Sequence, residues 1–174
     1  GAEKFYDIKC RKSGLQPALT VLVATTQGLK MHGGVPVEAI KEPNMEGLKE
    51  GVKNLDRHIR NLQGFGQTVV VCFNRFATDT DEEIAFCREH CAELGIGFAV
   101  NNAFNEGGAG AEELARLVVD TIEQNPSEPL RYAYADEDSI EQKAQAVVQK
   151  VYGGKGVTFT PGAKKMLLKI EELG

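Results

Sequence analysis

Three short apolar runs constrain this chain more than any other feature: residues 18–24, 68–73 and 97–101. Val, Leu, Phe and Cys fill them with little alternation. A strand with one face in water alternates apolar and polar side chains, because successive residues point to opposite faces. A strand without alternation is covered on both faces, as in parallel sheets. Parallel neighbours need crossovers, and helical patterns stand between the runs. Leu48, Val52, Leu55, Ile59 and Leu62 form one apolar stripe on a helix of about four turns, which ends at Gly64-Phe65-Gly66. Thr78-Asp79-Thr80 followed by Asp81-Glu82-Glu83 reads as a cap cluster with acids suited to the positive helix end. A third helix starts near Ala111, carries Leu114, Leu117 and Val118, and stops at Asn125-Pro126. A fourth uses Ile140, Ala144, Val147 and Val151, and a last one runs from about residue 163 to 173.

This order predicts an α/β fold: an open, mostly parallel sheet with flanking helices. Residues 1–125 are expected to form the sheet core with its strand-end loops, and residues 126–174 an α-rich C-terminal tail. Three strands are few, since sheets usually have about four to six.

A formal net charge of −5 over 174 residues argues against a nucleic-acid partner. No apolar stretch approaches a membrane span, and the polar Gly1-Ala2-Glu3-Lys4 start is no signal peptide. Cys10, Cys72, Cys87 and Cys91 are irregularly spaced and read as reduced, buried thiols of a cytoplasmic protein. Cys87-Arg88-Glu89-His90-Cys91 invites a metal reading, but Ile84, Cys87, Cys91 and Leu94 fall at helical spacing. Both sulfurs then face a core, and no metal site is assigned.

In an open parallel sheet, ligands bind beyond the carboxyl ends of the strands. The first run ends in Thr25-Thr26-Gln27-Gly28-Leu29-Lys30-Met31-His32-Gly33-Gly34, the second in Asn74-Arg75-Phe76-Ala77-Thr78-Asp79-Thr80, the third in Asn102-Ala103-Phe104-Asn105-Glu106-Gly107-Gly108-Ala109-Gly110. Each residue has an ordinary role open to it. Lys30 and His32 suit a solvated loop, Asn74 a turn, Asp79 or Thr80 a helix cap, Phe76 and Phe104 core anchors. Gly107, Gly108 and Gly110 suit a tight turn or an anion-binding helix entry. No Walker A motif occurs in the 174 residues. Convergence favours a site: three strand ends offer polar groups, Gly-rich turns and two aromatics able to clamp a flat heterocycle.

These residues resemble the formate–tetrahydrofolate ligase family. The likeness lies in Gly1-Ala2-Glu3-Lys4-Phe5, Asp7-Ile8-Lys9-Cys10-Arg11 and Ser13-Gly14-Leu15, and in Val23-Ala24-Thr25 with Leu29-Lys30-Met31-His32-Gly33-Gly34. It continues through Asn54-Leu55, His58-Ile59, Asn74-Arg75-Phe76, Thr78-Asp79-Thr80, Glu106-Gly107-Gly108, Gly110-Ala111, Ile140 and Val151-Tyr152-Gly153. Family members are longer, with a P-loop upstream and further strands downstream, so the chain reads as an internal fragment of a P-loop NTPase-like core. The resemblance implies that the parent joins formate to N10 of tetrahydrofolate while splitting ATP, through formyl phosphate. Mg²⁺ and a monovalent cation (K⁺ or NH₄⁺) assist, with no tightly bound cofactor. It further implies a pterin between Phe76 and Phe104, with Ala77 and Val100 beside it. Ser13, Gly14, Gly33, Gly34, Asn74, Gly107, Gly108 and Gly110 are implied on the nucleotide or phosphate side, and Lys30 and His32 at the anionic intermediate. The implied partners are the small-molecule substrates, the remainder of the parent chain and further copies in a homo-oligomer. Three departures stand out: Thr26-Gln27-Gly28 replaces the family's usual aliphatic-Arg-Ala, Phe104 a frequent Trp, and Ala77 a frequent Pro. Loss of that Arg removes a fork suited to phosphate or carboxylate. The competing reading is a non-catalytic folate- or nucleotide-binding α/β domain.

Overall fold

The computed structural model describes residues 1–173. From the N-terminus, α1 (Ala2–Lys4) and α2 (Arg11–Ser13) flank a π-helical turn, Phe5–Cys10. Then come β1 (Thr20–Ala24), α3 (Thr26–His32), α4 (Met45–Gly64), β2 (Val69–Asn74), α5 (Asp81–Glu93) and β3 (Gly97–Asn101). The chain continues through α6 (Ala103–Glu106), a 3₁₀ turn (Gly107–Ala111) and α7 (Glu112–Gln124). It closes with α8 (Ile140–Val147), a second π-helical turn (Val148–Tyr152) and α9 (Pro161–Glu171).

The three strands form one parallel sheet in the order β1-β2-β3. β2 is central and fully apolar until Asn74, as its uninterrupted Val-Val-Val-Cys-Phe requires. β1 is an outer strand of this sheet, and Val21 and Val23 on it are exposed.

Two compact units divide the chain. The first spans Pro17–Pro129 and holds the sheet. Its core takes the whole expected stripe of α4, with Leu48, Val52, Leu55, Ile59 and Leu62 all buried. The helix runs for 20 residues, longer than the stripe, because Asn44 caps it early by accepting from the Gly47 amide at 2.8 Å. Phe73 and Phe98 meet inside with ring centroids 5.3 Å apart. From α5, Ile84, Cys87 and Cys91 face the core as expected, but Leu94 terminates the helix and is exposed. His90 turns away from the sulfurs and meets Asp56 of α4 at 2.6 Å.

The second unit joins Gly1–Gln16 to the chain from Leu130 onward. Arg11 organises it. Its guanidinium bonds Asp136 at 2.6 Å and lies over the rings of Tyr132 and Tyr134. Asp7 accepts from the Ala133 amide at 2.8 Å, and burial pushes its carboxyl above the ordinary carboxylate value. Tyr152 donates to Glu3 at 3.1 Å.

All four cysteines are free and buried. Burial pushes the Cys87 thiol up to about 12 and the Cys91 thiol up to about 11. A thiol with so high a pKa carries almost no thiolate near pH 8. Titration with a disulfide reagent at pH 8 should therefore leave Cys87 and Cys91 unmodified in the folded chain and modify both promptly in denaturant. Prompt labelling of either without denaturant would contradict this packing.

Candidate functional site

Parallel pairing sends all three carboxyl ends to one edge of the sheet. Ala24 pairs with Phe73, Phe73 with Val100 and Asn74 with Asn101. The ends of β2 and β3 are stitched there by side chains and backbone. Asn101 donates its amide to Asn74 Oδ1 at 2.9 Å, and the Arg75 N–H donates to the Asn101 carbonyl at 3.1 Å. Val100 is half-buried on β3 just before this junction.

Beyond β2 the chain makes a closed turn. The Asp79 N–H donates to the Phe76 carbonyl at 3.1 Å, and the Phe76 N–H donates to Asp79 Oδ2 at 2.8 Å. Ala77 lies exposed within it, and the Phe76 ring is 44% exposed. Thr80, not Asp79, caps α5: its hydroxyl accepts from the Glu83 amide while Glu83 reaches back to the Thr80 amide, a complete capping box.

Beyond β3 the short α6 stands on Asn102, whose carbonyl accepts from the amides of Asn105 and Glu106 at 3.0 and 3.1 Å. It presents Phe104 at 97% exposure. The chain leaves α6 through Gly107 at φ +60° and ψ −141°, a conformation left to glycine. Gly110 then passes so close to Asn102 that a Cβ there would lie 2.5 Å from its carbonyl carbon. These two glycines are accounted for by the turn itself, while Gly108 stands open to solvent. Neither aromatic ring serves as the core anchor it resembles in sequence; Phe73 and Phe98 do that instead.

Beyond β1 the expected loop is a helix. Thr25 caps α3 by accepting from the Gly28 amide at 3.0 Å. Lys30 points inward and is 1% exposed. Its ammonium donates to Glu83 at 3.0 Å and to the Glu42 carbonyl at 2.8 Å. Burial alone pushes the Glu83 carboxyl up. Hydrogen bonds from Lys30, Asn44 and Thr80 outweigh it and hold the group below its ordinary value. His32 is exposed, and with Thr25, Asn54 and His58 it lines a cavity of about 250 Å³ at the end of β1. Burial, then repulsion from His32, lowers the His58 pKa.

Gly33 and Gly34 belong to a different place. Gly33 packs against α4, where a Cβ would lie 1.8 Å from the Gly47 carbonyl oxygen, and the Gly51 of α4 touches Leu29 as closely. Together Gly33 and Gly34 line an open hollow of about 670 Å³ beside the start of α4. Ser13 and Gly14 close α2 in the other unit, Gly14 at φ +70°. The sheet edge thus brings together Asn74, Phe76, Ala77, Val100, Phe104 and the Gly107–Gly110 turn.

Two features escaped the sequence. Asp79 is buried and also accepts from the hydroxyl of fully buried Thr26. Glu83 ties Lys30, Asn44 and Thr80 together. The acid-rich cap cluster was the visible signal for both, but a cap is exposed by habit, and nothing in it advertised burial.

The family profile of formate–tetrahydrofolate ligase matches residues 1–174. Formate–tetrahydrofolate ligase of Bacteroides thetaiotaomicron is 67% identical over the whole chain, and that of Bacteroides fragilis 63%. The Porphyromonas gingivalis enzyme is 55% identical over 98% of it. The chain spans 31% of the length of each of these relatives. A match along every element that builds the edge, from β1 to the turn after β3, places the chain in the formate–tetrahydrofolate ligase family.

Proposed function

We propose that the carboxyl edge of this sheet is the folate face of an ATP-dependent ligase that joins formate to N10 of tetrahydrofolate. One observation carries the reading: two aromatic rings, Phe76 and Phe104, stand exposed at adjacent strand ends with their backbones fixed. Rings carried on fixed backbones leave only side-chain freedom to lose on stacking, and they gain both burial and ring contact. The pteridine lies between them, with Ala77 and Val100 at its border.

In the full-length protein, formate attacks the γ-phosphorus of ATP to give formyl phosphate and ADP. N10 of tetrahydrofolate then attacks the formyl carbon, the C–O bond to phosphate breaks, and inorganic phosphate and a proton leave. Of the two groups considered for the anionic intermediate, His32 faces solvent and takes the direct role. Lys30 is enclosed and paired, so it acts through Glu83 by fixing the loop at Asn44. Asn74 and the glycine turns of the sheet unit are assigned to the phosphate side. Among the described residues no three His, Cys, Asp or Glu side chains converge as a cation cage. No step is assigned to Mg²⁺ or the monovalent cation through this chain. Among the described residues no helix is long and apolar enough to cross a membrane, and the reading keeps the ligase cytoplasmic and homo-oligomeric.

For the chain by itself the same geometry supports binding without turnover. Its 174 residues contain no Walker A motif, so the β- and γ-phosphates lack their cradle. The purified chain mixed with ATP, formate and tetrahydrofolate should yield no 10-formyltetrahydrofolate, while the full-length protein should. Product from the isolated chain would refute this division of labour.

A further inference from the structure

We infer that Asp79 and Thr26 are positioning residues for the folate face, a brace that sets where the Phe76 ring stands. The inference rests on the folate reading above and adds to it the device that holds one wall of the clamp.

Asp79 is only 7% exposed. Burying a carboxylate is costly unless its oxygens are hydrogen-bonded, so its presence asks for a purpose. Helix capping is not that purpose, because Thr80 and Glu83 already cap α5 completely. Both backbone polar groups of Phe76 go to Asp79: its N–H to Oδ2 at 2.8 Å, and its carbonyl to the Asp79 N–H at 3.1 Å. The other carboxylate oxygen, Oδ1, accepts from the Thr26 hydroxyl. Thr26 is 0% exposed and sits at the first position of α3, separated from the end of β1 only by the cap residue Thr25. The Phe76 turn is therefore anchored across the sheet edge to the neighbouring strand end, through one carboxylate and one hydroxyl.

Such an anchor matters more here than in an ordinary turn. Ala77 brings no ring of its own to stiffen the turn, and the Phe76 side chain, 44% exposed, has limited packing to hold it. Without the brace the ring samples several positions, and part of the stacking gain is spent on ordering it. Loss of one buried, charge-assisted hydrogen bond corresponds to a change of about tenfold in an equilibrium constant.

The test uses the full-length protein and four variants: Thr26→Val, Thr26→Ser, Asp79→Ala and Phe76→Ala. Thr26→Val keeps the side-chain shape and carries the test should Asp79→Ala fail to accumulate. Thr26→Val and Asp79→Ala should each raise the KM for tetrahydrofolate about tenfold, with the KM values for ATP and formate and the saturated kcat unmoved. Thr26→Ser keeps the hydroxyl and should restore the folate constant. Suppose instead that Phe76→Ala raises the folate KM while Thr26→Val does not: the brace is then refuted and the folate face stands. An equal rise in all three KM values, or a fall in kcat alone, marks a general structural role and also refutes it. If Phe76→Ala itself leaves the folate constant unmoved, the folate reading fails and the brace falls with it.

Discussion

Phe104→Ala in the full-length protein should weaken tetrahydrofolate binding by roughly tenfold to a hundredfold and leave ATP binding and thermal stability unchanged. A pterin is flat with a polar rim, so it gains by lying between ring faces while its edge finds hydrogen bonds. Stacking beyond simple burial is worth about 0.5–1.5 kcal/mol per aromatic pair. Covering the ring adds roughly 25 cal/mol per Å² of apolar surface. These sum to one or two decades at about 1.4 kcal/mol each. Phe104 makes the cleaner test of the two rings. At 97% exposure it contributes nothing to the core that its removal would forfeit, whereas a buried Phe→Ala would cost about 3–5 kcal/mol. Phe76→Ala should show the same folate defect with a modest loss of stability, since that ring is partly covered. A melting temperature and separate Michaelis constants for folate and ATP read both effects. A collapse of stability on Phe104→Ala, without a selective folate defect, would contradict the assignment.

The second large effect belongs to the Lys30–Glu83 pair, with side chains 1% and 2% exposed and 3.0 Å apart. Lys30→Met should destabilise the chain by about 3–5 kcal/mol, because it leaves Glu83 buried beside an apolar stem with one partner gone. Adding Glu83→Gln should recover part of that loss by removing the stranded charge. A purely chemical lysine would behave differently: its loss would abolish turnover and leave the denaturant midpoint in place. The pair also sets an acid limit. Glu83 is held below its ordinary value of 4.5, so folding binds fewer protons at this group than unfolding does. Its contribution is complete above pH 4.5 and is lost as pH falls through the lower folded value. Wild-type stability should therefore drop on acidification below that point, and Lys30→Met should flatten the drop, measured by urea midpoints across the range.

The contrast between Lys30 and the strands shows what a sequence makes visible. Uninterrupted apolar runs located β2 and β3 to within a residue, because nothing but a covered strand needs Val-Val-Val-Cys-Phe. The α4 stripe was equally plain, and only its early cap at Asn44 was overlooked. By contrast, α3 reads as a loop in the sequence. Its seven residues hold one buried apolar side chain, Leu29, and its other inward residues are Thr26 and Lys30. Hydrophobic periodicity cannot register a helix whose buried face is polar. The N-terminal helical stretch was missed for the same reason, since its inward positions include Glu3 and Asp7 beside Tyr6 and Cys10. At the site, the strand-end rule brought Asn74, Phe76 and Phe104 to one edge. It gave no warning that Gly33 serves a helix–helix contact or that Lys30 is enclosed. Those facts depend on packing partners distant in sequence: Gly47 for Gly33, Glu83 for Lys30.

In the proposed site, Phe76 and Phe104 form the two walls of a folate clamp. A crystal structure of the full-length protein with a bound folate tests it most directly. The pteridine should lie between the two rings at stacking distance, beyond the carboxyl ends of β2 and β3. A pteridine seated elsewhere, with the Phe104 ring still in solvent, would contradict the account.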